Sequence, residues 1–368
     1  MKKKNEDITI QQEVAFAVNL TNDTIAEIGV SAEKMNDKLE NIMNAFTCIR
    51  NIPSEYEAER IKAQEARSEW LQQAEKIEEV YNTSMKKNIG NGTAGAGVGV
   101  AVVTMGPTAA MGVATTFGVA STGTAISSLS GAAATNAALA WLGGGALAAG
   151  GGGMVAGEAF LALAGPVGWS IAGIAILASG IAIIKGKSEK KKLINLFNAI
   201  GERDKKNYET AVVEMNERIR RMEEEIKRLN DAFERIKTFG VDYEKMTESQ
   251  QYELGAYYNL VSAATRLIVS PIKGLEQKYT DEHYDRFVSV LLNNKFSLEY
   301  FKAKNIMVYL ANLLYGIKMD DKDKELLAKS IKVNKELLNT MGITKSEFKA
   351  KFVFMAYDEM CLIRMRQG

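Results

Sequence analysis

Side chains that could carry out chemistry are few in this chain. The single histidine, His283, lies in TDEHYDRF, and the two cysteines, Cys48 and Cys361, are far apart in sequence. A Ser-His-Asp arrangement could use only His283 as its base. Because the preceding TDE is typical of a helix start, we expect His283 at the surface or at a helix cap. We expect both cysteines to be buried rather than reactive.

Motifs that bind nucleotides or catalytic metals are missing from the sequence. It contains no GxxxxGK[ST] for phosphates and no HExxH for zinc. The GAGVG at 95–99 has no strand, turn and helix around it, so it is a very weak nucleotide signal. The remaining carboxylates are scattered over amphipathic helices. We therefore expect no enzymatic activity, no catalytic residue, no cofactor and no metal site.

Composition narrows the class of protein. The chain has 368 residues, with 46 Lys and Arg against 45 Asp and Glu, so its net charge is +1. Binding to nucleic acid would need a basic excess, which is missing here. Two distant cysteines predict a reducing compartment. Only four prolines and long periodic stretches predict an all-helical protein.

Charge is strongly segregated along the chain. No charged residue occurs from Asn88 to Gly157 or from Ala159 to Ile184, and Glu158 alone separates the two stretches. Of the 31 glycines, 23 lie between Gly90 and Gly186. Such segregation indicates a membrane protein, or a soluble protein that hides a membrane-active segment. We call residues 89–184 the apolar segment.

Two heptad seams flank the apolar segment and predict long helices packed against one another. The first has 4, 3 spacing at Val14, Val18, Thr21, Ile25, Ile28, Ala32, Met35, Leu39, Ile42, Phe46 and Ile49. The second runs through Tyr208, Val212, Met215, Ile219, Met222, Ile226, Leu229, Phe233 and Ile236. Pro53 separates the first helix from another over 54–87. Internal packing is the expected role of the seams, and a dimeric coiled coil is the alternative.

These elements predict an all-α fold. It would be an elongated antiparallel helical bundle or coiled coil, with the glycine- and alanine-rich hydrophobic segment at its centre and a C-terminal helical domain. The corresponding divisions are the N-terminal long helices at 1–88, the apolar segment at 89–184, a long coiled-coil helix at 185–240 and the C-terminal domain at 241–368. Thr247 with Gln250 predicts the cap of the first helix of that last domain.

Glycine costs about 1 kcal/mol against alanine in a water-exposed helix. In a bilayer the chain stays helical despite its glycines, because each backbone group left without a hydrogen bond in hydrocarbon costs several kcal/mol. Small residues also let neighbouring helices approach closely. Phe160–Ile184 is long enough to span a bilayer. Glu158 would mark a turn or line a pore. We predict membrane insertion through Gly95, Gly99, Trp141, Gly153, Gly157, Glu158, Phe160, Trp169 and Ile184.

Lysines lie on both sides of the apolar segment. They are Lys86 and Lys87 before it, and Lys185, Lys187, Lys190, Lys191 and Lys192 after it. In an inserted protein, basic flanks stay on the cytoplasmic side. Both ends would therefore lie on one side of the membrane, and the number of crossings would be even.

Two resemblances follow from these features. The stretch GVASTGTAISSLSGAAATNAALAWLGGGALAAGGGGMVAG is similar to the glycine-rich hydrophobic segment of the small interferon-induced membrane proteins of animals. Long helices on both sides of a hydrophobic segment resemble the helical pore-forming toxins of the cytolysin A and haemolysin B type. That second resemblance implies a protein that folds without a membrane and then inserts as an oligomer.

The resulting functional hypothesis is membrane permeabilisation by a toxin or a cell-death effector. Its partners would be a lipid bilayer and further copies of the chain, with or without other protein components, and no nucleic acid. MKKKNEDITIQQE lacks the apolar part of a signal peptide, which predicts a cytoplasmic soluble form or non-classical export. A constitutive membrane-anchored coiled-coil scaffold without a pore is the alternative. A soluble interaction protein would require the apolar segment to be a buried helical core.

Overall fold

The computed structural model describes residues 6–90, 106–117, 166–275, 278–279, 281–292, 299–340 and 342–365. These residues form α-helices and short 3-10 turns, and no strand occurs among them, so the all-α prediction is confirmed. The helices are α1 (Glu6–Thr47), α2 (Ser54–Gly90), α3 (Pro107–Phe117), α4 (Pro166–Ile183), α5 (Lys187–Ile236), α6 (Glu248–Val269), α7 (Asp281–Leu292), α8 (Glu299–Leu313), α9 (Asp321–Val333), α10 (Lys335–Thr340) and α11 (Ala350–Met365).

The predicted seam of α1 is the centre of the first hydrophobic core. All eleven of its residues are buried, including the polar Thr21, whose hydroxyl donates to the Ala17 carbonyl at 2.7 Å. That bond satisfies a hydroxyl which burial would otherwise leave unpaired. On the other two long helices, the side chains that enter this core include Trp70 and Ile77 of α2 and Met222 of α5. The heptad spacing therefore identifies a buried face.

α1 and α5 run parallel, which differs from the antiparallel arrangement that the sequence predicts. Lys205 Nζ lies 2.7 Å from Glu13 Oε2, and Lys38 Nζ donates to Asn230 Oδ1 at 3.2 Å. Both pairs are separated by 192 residues, so the two helices stay in one register. A short turn such as the one at Pro53 forces the next helix to be antiparallel. The long apolar segment before α5 imposes no such direction.

The middle of α6 joins the first core through stacked aromatic rings. The Tyr258 ring lies 4.0 Å from Phe46 of α1 and 5.1 Å from Tyr56 of α2, and each pair is stacked. Thr247 and Gln250 form the predicted capping box at the N-terminus of α6. The local cap and the distant aromatic contacts thus place α6 against both α1 and α2.

A second hydrophobic core contains α4, the start of α5 and the C-terminal helices. Leu193, Phe197 and Ile200 of α5 are buried in it. Arg203 donates to the carbonyls of Leu313 and Tyr315 at 2.9 and 2.6 Å, which satisfies acceptors at the end of α8. α5 therefore belongs to both cores and connects them.

Candidate functional site: the buried ends of the apolar segment

The apolar segment contributes α3 and α4 to the described structure, and each helix packs into a different core. α3 packs mainly against α1 and α2. Its C-terminal half is buried on all sides, at Val113, Ala114, Thr115 and Thr116, and Ala110 one turn earlier is also fully buried. An uncharged piece of the apolar segment is therefore enclosed by the charged long helices.

The backbones of α1 and α3 meet where Gly29 faces Gly112. A Cβ atom on Gly29 would collide with the Thr108 carbonyl oxygen and lie 2.9 Å from the Gly112 nitrogen. One on Gly112 would collide with the Ile25 carbonyl oxygen and lie 3.1 Å from the Gly29 nitrogen. Since every other residue type carries a Cβ, this close approach requires glycine on both helices. We call it the Gly29–Gly112 crossing.

Hydrogen bonds hold both ends of α3. At its start, Thr108 Oγ1 donates to Glu33 Oε2 of α1 at 2.9 Å. At its end, the Thr116 carbonyl accepts from the Ile272 backbone N–H at 2.7 Å. That second bond satisfies a carbonyl that the last turn of a helix leaves without a helical partner. The ends of α3 are thus tied to α1 and to the chain just after α6.

A buried side-chain hydrogen bond connects α2 with α3. Trp70 Nε1 donates to Thr115 Oγ1 at 3.1 Å, and both residues have no exposed surface. A buried indole N–H needs such a partner because burial separates it from water. The contact between α2 and α3 is otherwise apolar, and this bond specifies the position of α3 within it.

α4 packs against α5 and α9 in the second core, where Ile176 and Leu177 are buried. Gly180 lies so close to α9 that a Cβ there would collide with Ser330 Oγ and come within 2.5 Å of Leu193 Cδ2. The close approaches of α4 are therefore to side chains, whereas the Gly29–Gly112 crossing is between two backbones.

The boundary between the apolar segment and α5 is partly folded into the second core. Ile184, predicted to insert, is buried, while Lys185, Lys187 and Lys191 are exposed. Lys190 is partly exposed. The side chains of Lys86 and Lys87, at the end of α2, lie outside what the structure describes.

Lys192 is paired with the N-terminus of α9. Its Nζ atom lies 2.5 Å from Asp320 and 3.5 Å from Asp323. The hydrogen bond from Lys192 is the main reason why the pKa of Asp320 is lowered to about 2. Nearby, Lys322 pairs with Glu189 at 2.7 Å. These ion pairs join the start of α5 to α9.

Most residues predicted to insert into a membrane fall outside the described residues: Gly95, Gly99, Trp141, Gly153, Gly157, Glu158 and Phe160. Trp169 belongs to α4, although its side chain is not described. Of the predicted span Phe160–Ile184, the structure describes the part from Pro166 onward. Within the described part of the chain, no helix is both long enough and apolar enough to cross a membrane.

No family model, curated protein or solved structure matches this chain.

Two of the three residues singled out for chemistry, His283 and Cys361, lie beside Tyr279. Its hydroxyl donates to Cys361 Sγ at 3.2 Å, and its ring packs edge-on against the His283 ring at 5.9 Å. His283 lies in the first turn of α7, near the predicted helix start. Cys361 is partly exposed, but Cys48 is exposed just beyond the end of α1, so the expectation that it is buried is wrong. No group of three or more His, Cys, Asp or Glu side chains placed to hold a metal ion occurs among the described residues.

Sequence reasoning missed the residues that hold α3. Gly29 directly follows the seam residue Ile28 and precedes Ala32, so a run of small residues on α1 was a signal of close approach. Trp70 of α2 is fully buried. Its bond to Thr115 had no sequence signal, because the two residues belong to different helices.

Proposed function

We propose that this protein permeabilises membranes by inserting its apolar segment as an oligomer. The observation that supports the proposal most strongly is the burial of α3. An uncharged helix near the N-terminal end of the apolar segment is held between charged helices by a backbone crossing and by hydrogen bonds to other parts of the chain. A protein that folds in water and later inserts needs such a place to keep apolar sequence.

The energetics allow a change between two states. Removing apolar surface from water is worth about 25 cal/mol per Å², whether the surface is covered by protein or by lipid. Moving α3 from the first core into a bilayer would therefore keep most of this hydrophobic stabilisation. Its buried hydroxyls, on Thr115 and Thr116, would lose or change partners. A ligand, a membrane or a change of conditions can shift the equilibrium between two states of similar free energy.

The lysines after α4 fit the same proposal. Lys185 and Lys187 are exposed immediately after Ile184. In an inserted protein they would stay at the headgroups, on the same side as Lys86 and Lys87. This topology requires an even number of crossings between the two lysine groups.

Dye release from vesicles by the purified chain tests the proposal. A charged side chain at the centre of a bilayer costs about 2.5–3.5 kcal/mol on insertion scales. Leu142 and Leu147 lie between Trp141 and Gly153, which are predicted to insert. Leu142→Arg with Leu147→Arg should therefore abolish release, and the matched pair Leu142→Ala with Leu147→Ala should retain it. Deleting the whole apolar segment is a poorer test, because α3 and α4 fill parts of both cores.

The results distinguish the proposed function from its alternatives. Wild-type protein that floats with vesicles without releasing dye would contradict pore formation and favour a membrane-anchored scaffold. Protein that neither floats nor releases dye would contradict any membrane role. Release that survives both arginine substitutions would show that the amphipathic helices act instead of the apolar segment.

A further inference from the structure

The two described ends of the apolar segment differ in how they could leave the folded protein. α4 is separated from α5 only by Ile184–Gly186, so it cannot move far without moving the start of α5. That start is fixed in turn by Leu193 and Phe197, which are buried in the second core. Between the end of α2 at Gly90 and α3 lies a longer stretch of chain. α3 is therefore the end that can leave its core while the neighbouring helices remain in place.

We propose that the Gly29–Gly112 crossing is the lock that retains α3, and that loosening this crossing alone releases the N-terminal end of the apolar segment. α4 stays in the second core during this first step. The proposal rests on the proposed membrane function, and it adds which end is released first and which contact controls the release.

The composition of α3 explains why a single crossing could control its release. Most of its buried side chains are small, such as Ala110 and Ala114, so each contributes little apolar area. A contact between two backbones has no flexible side chain to maintain it, and dispersion attraction falls steeply when atoms separate. A small shift of α3 would weaken the crossing and also the bonds from Trp70 and Thr108. The helix is therefore either docked or released.

Alanine substitutions at the crossing test the lock. Gly29→Ala and Gly112→Ala each place a Cβ against a backbone carbonyl that cannot rotate away. We expect the amides of α3 to exchange hydrogen about tenfold faster or more, as expected for overpacking, and dye release to begin sooner. Gly106→Ala is the matched control, because an added Cβ there meets nothing within 4 Å. It should behave as wild type in both measurements.

A cross-link tests the same contact without overpacking it. In a Cys48→Ser, Cys361→Ser background, Glu33→Cys and Thr108→Cys replace two side chains that are joined by a 2.9 Å hydrogen bond. A short, reducible thiol cross-linker between them should suppress dye release, and reduction should restore it. The cross-link experiment still tests the proposal if an alanine variant unfolds as a whole. Faster hydrogen exchange throughout α6 would reveal such unfolding.

Each outcome supports or overturns the lock. Normal α3 exchange in the two alanine variants would overturn it, as would undiminished release from the cross-linked protein. Activation by Gly180→Ala but not by Gly29→Ala would also overturn it, since release would then begin at α4. Faster α3 exchange in the alanine variants, with no dye release from any variant or from wild type, would support the lock and contradict only the proposed function.

Discussion

Trp70 of α2 and Thr115 of α3 share a buried hydrogen bond, with 3.1 Å between Nε1 and Oγ1 and no exposed surface on either residue. The bond joins an amphipathic, charged helix to a helix of the uncharged segment. It therefore reports directly on whether α3 is docked.

Replacing Thr115 by valine should destabilise the folded protein. Valine keeps the shape but removes the acceptor, which leaves the Trp70 indole N–H buried without a partner. The expected loss is about 1–3 kcal/mol in the free energy of unfolding, measured by urea denaturation. Thr210→Val is the control, because Thr210 is exposed on α5 and shares the β-branched shape. Equal stability of the two variants would show that the buried bond contributes nothing.

The Lys192–Asp320 pair predicts a loss of stability in acid. The pKa of Asp320 is lowered to about 2 from an ordinary 3.8, mainly by the hydrogen bond from Lys192 and then by the Asp323 backbone N–H. A carboxyl whose pKa is lower in the folded state stabilises that state above its ordinary pKa. This contribution is lost as the pH falls from about 4 to about 2.

Asp320→Asn isolates the charge, because asparagine can still cap α9. The variant should be less stable than wild type at neutral pH, and the difference should shrink as the pH falls through that window. Thermal unfolding at several pH values measures this, with Asp321→Asn as the neighbouring control. A difference that stays constant down to pH values near 2 would contradict the role of the ion pair.

Gly180 should tolerate alanine poorly. A Cβ there collides with Ser330 Oγ, so Gly180→Ala should cost about 1–3 kcal/mol of stability through overpacking. Ser330→Ala removes the colliding oxygen, and the double variant should lose less stability than the two single variants together. Gly173→Ala is the comparison, since its Cβ would meet the flexible Leu313 Cδ1 atom at 3.3 Å. Strict additivity of the Gly180 and Ser330 effects would rule out this contact.

Gly153 and Gly157 lie outside the described residues, and their spacing of four predicts one helical face. Replacing both by leucine adds hydrophobicity, so vesicle flotation should be equal or stronger. Close packing of inserted helices would be blocked, so dye release should be lost. Release at the wild-type level would mean that these glycines have no packing role.

Local patterns predicted the helices well. All ten seam residues within α1 are buried, as is Ile49 just beyond its end, and Thr247 and Gln250 form the capping box at the start of α6. Both predictions depend on residues a few positions apart, where helix geometry alone determines which side chains share a face or reach a backbone N–H. The same reasoning fails at Cys48, because the helix ends just before it.

The direction of α5 could not be predicted in the same way. Short turns make neighbouring helices antiparallel, and the sequence analysis extended that rule across the apolar segment. The pairs Glu13–Lys205 and Lys38–Asn230, in one register, show that α1 and α5 are parallel. A seam indicates that a face is buried, but its spacing is the same in either direction.

The sequence by itself determined that the protein is helical, which faces of its long helices are buried, and that one long segment is almost free of charge. Only the tertiary structure decided that Gly29 meets Gly112, that Trp70 binds Thr115, and that Lys192 pairs with Asp320. The physical reason is that periodicity and composition indicate which face of a helix is buried away from water. The identity of the partner depends on packing between residues far apart in the chain.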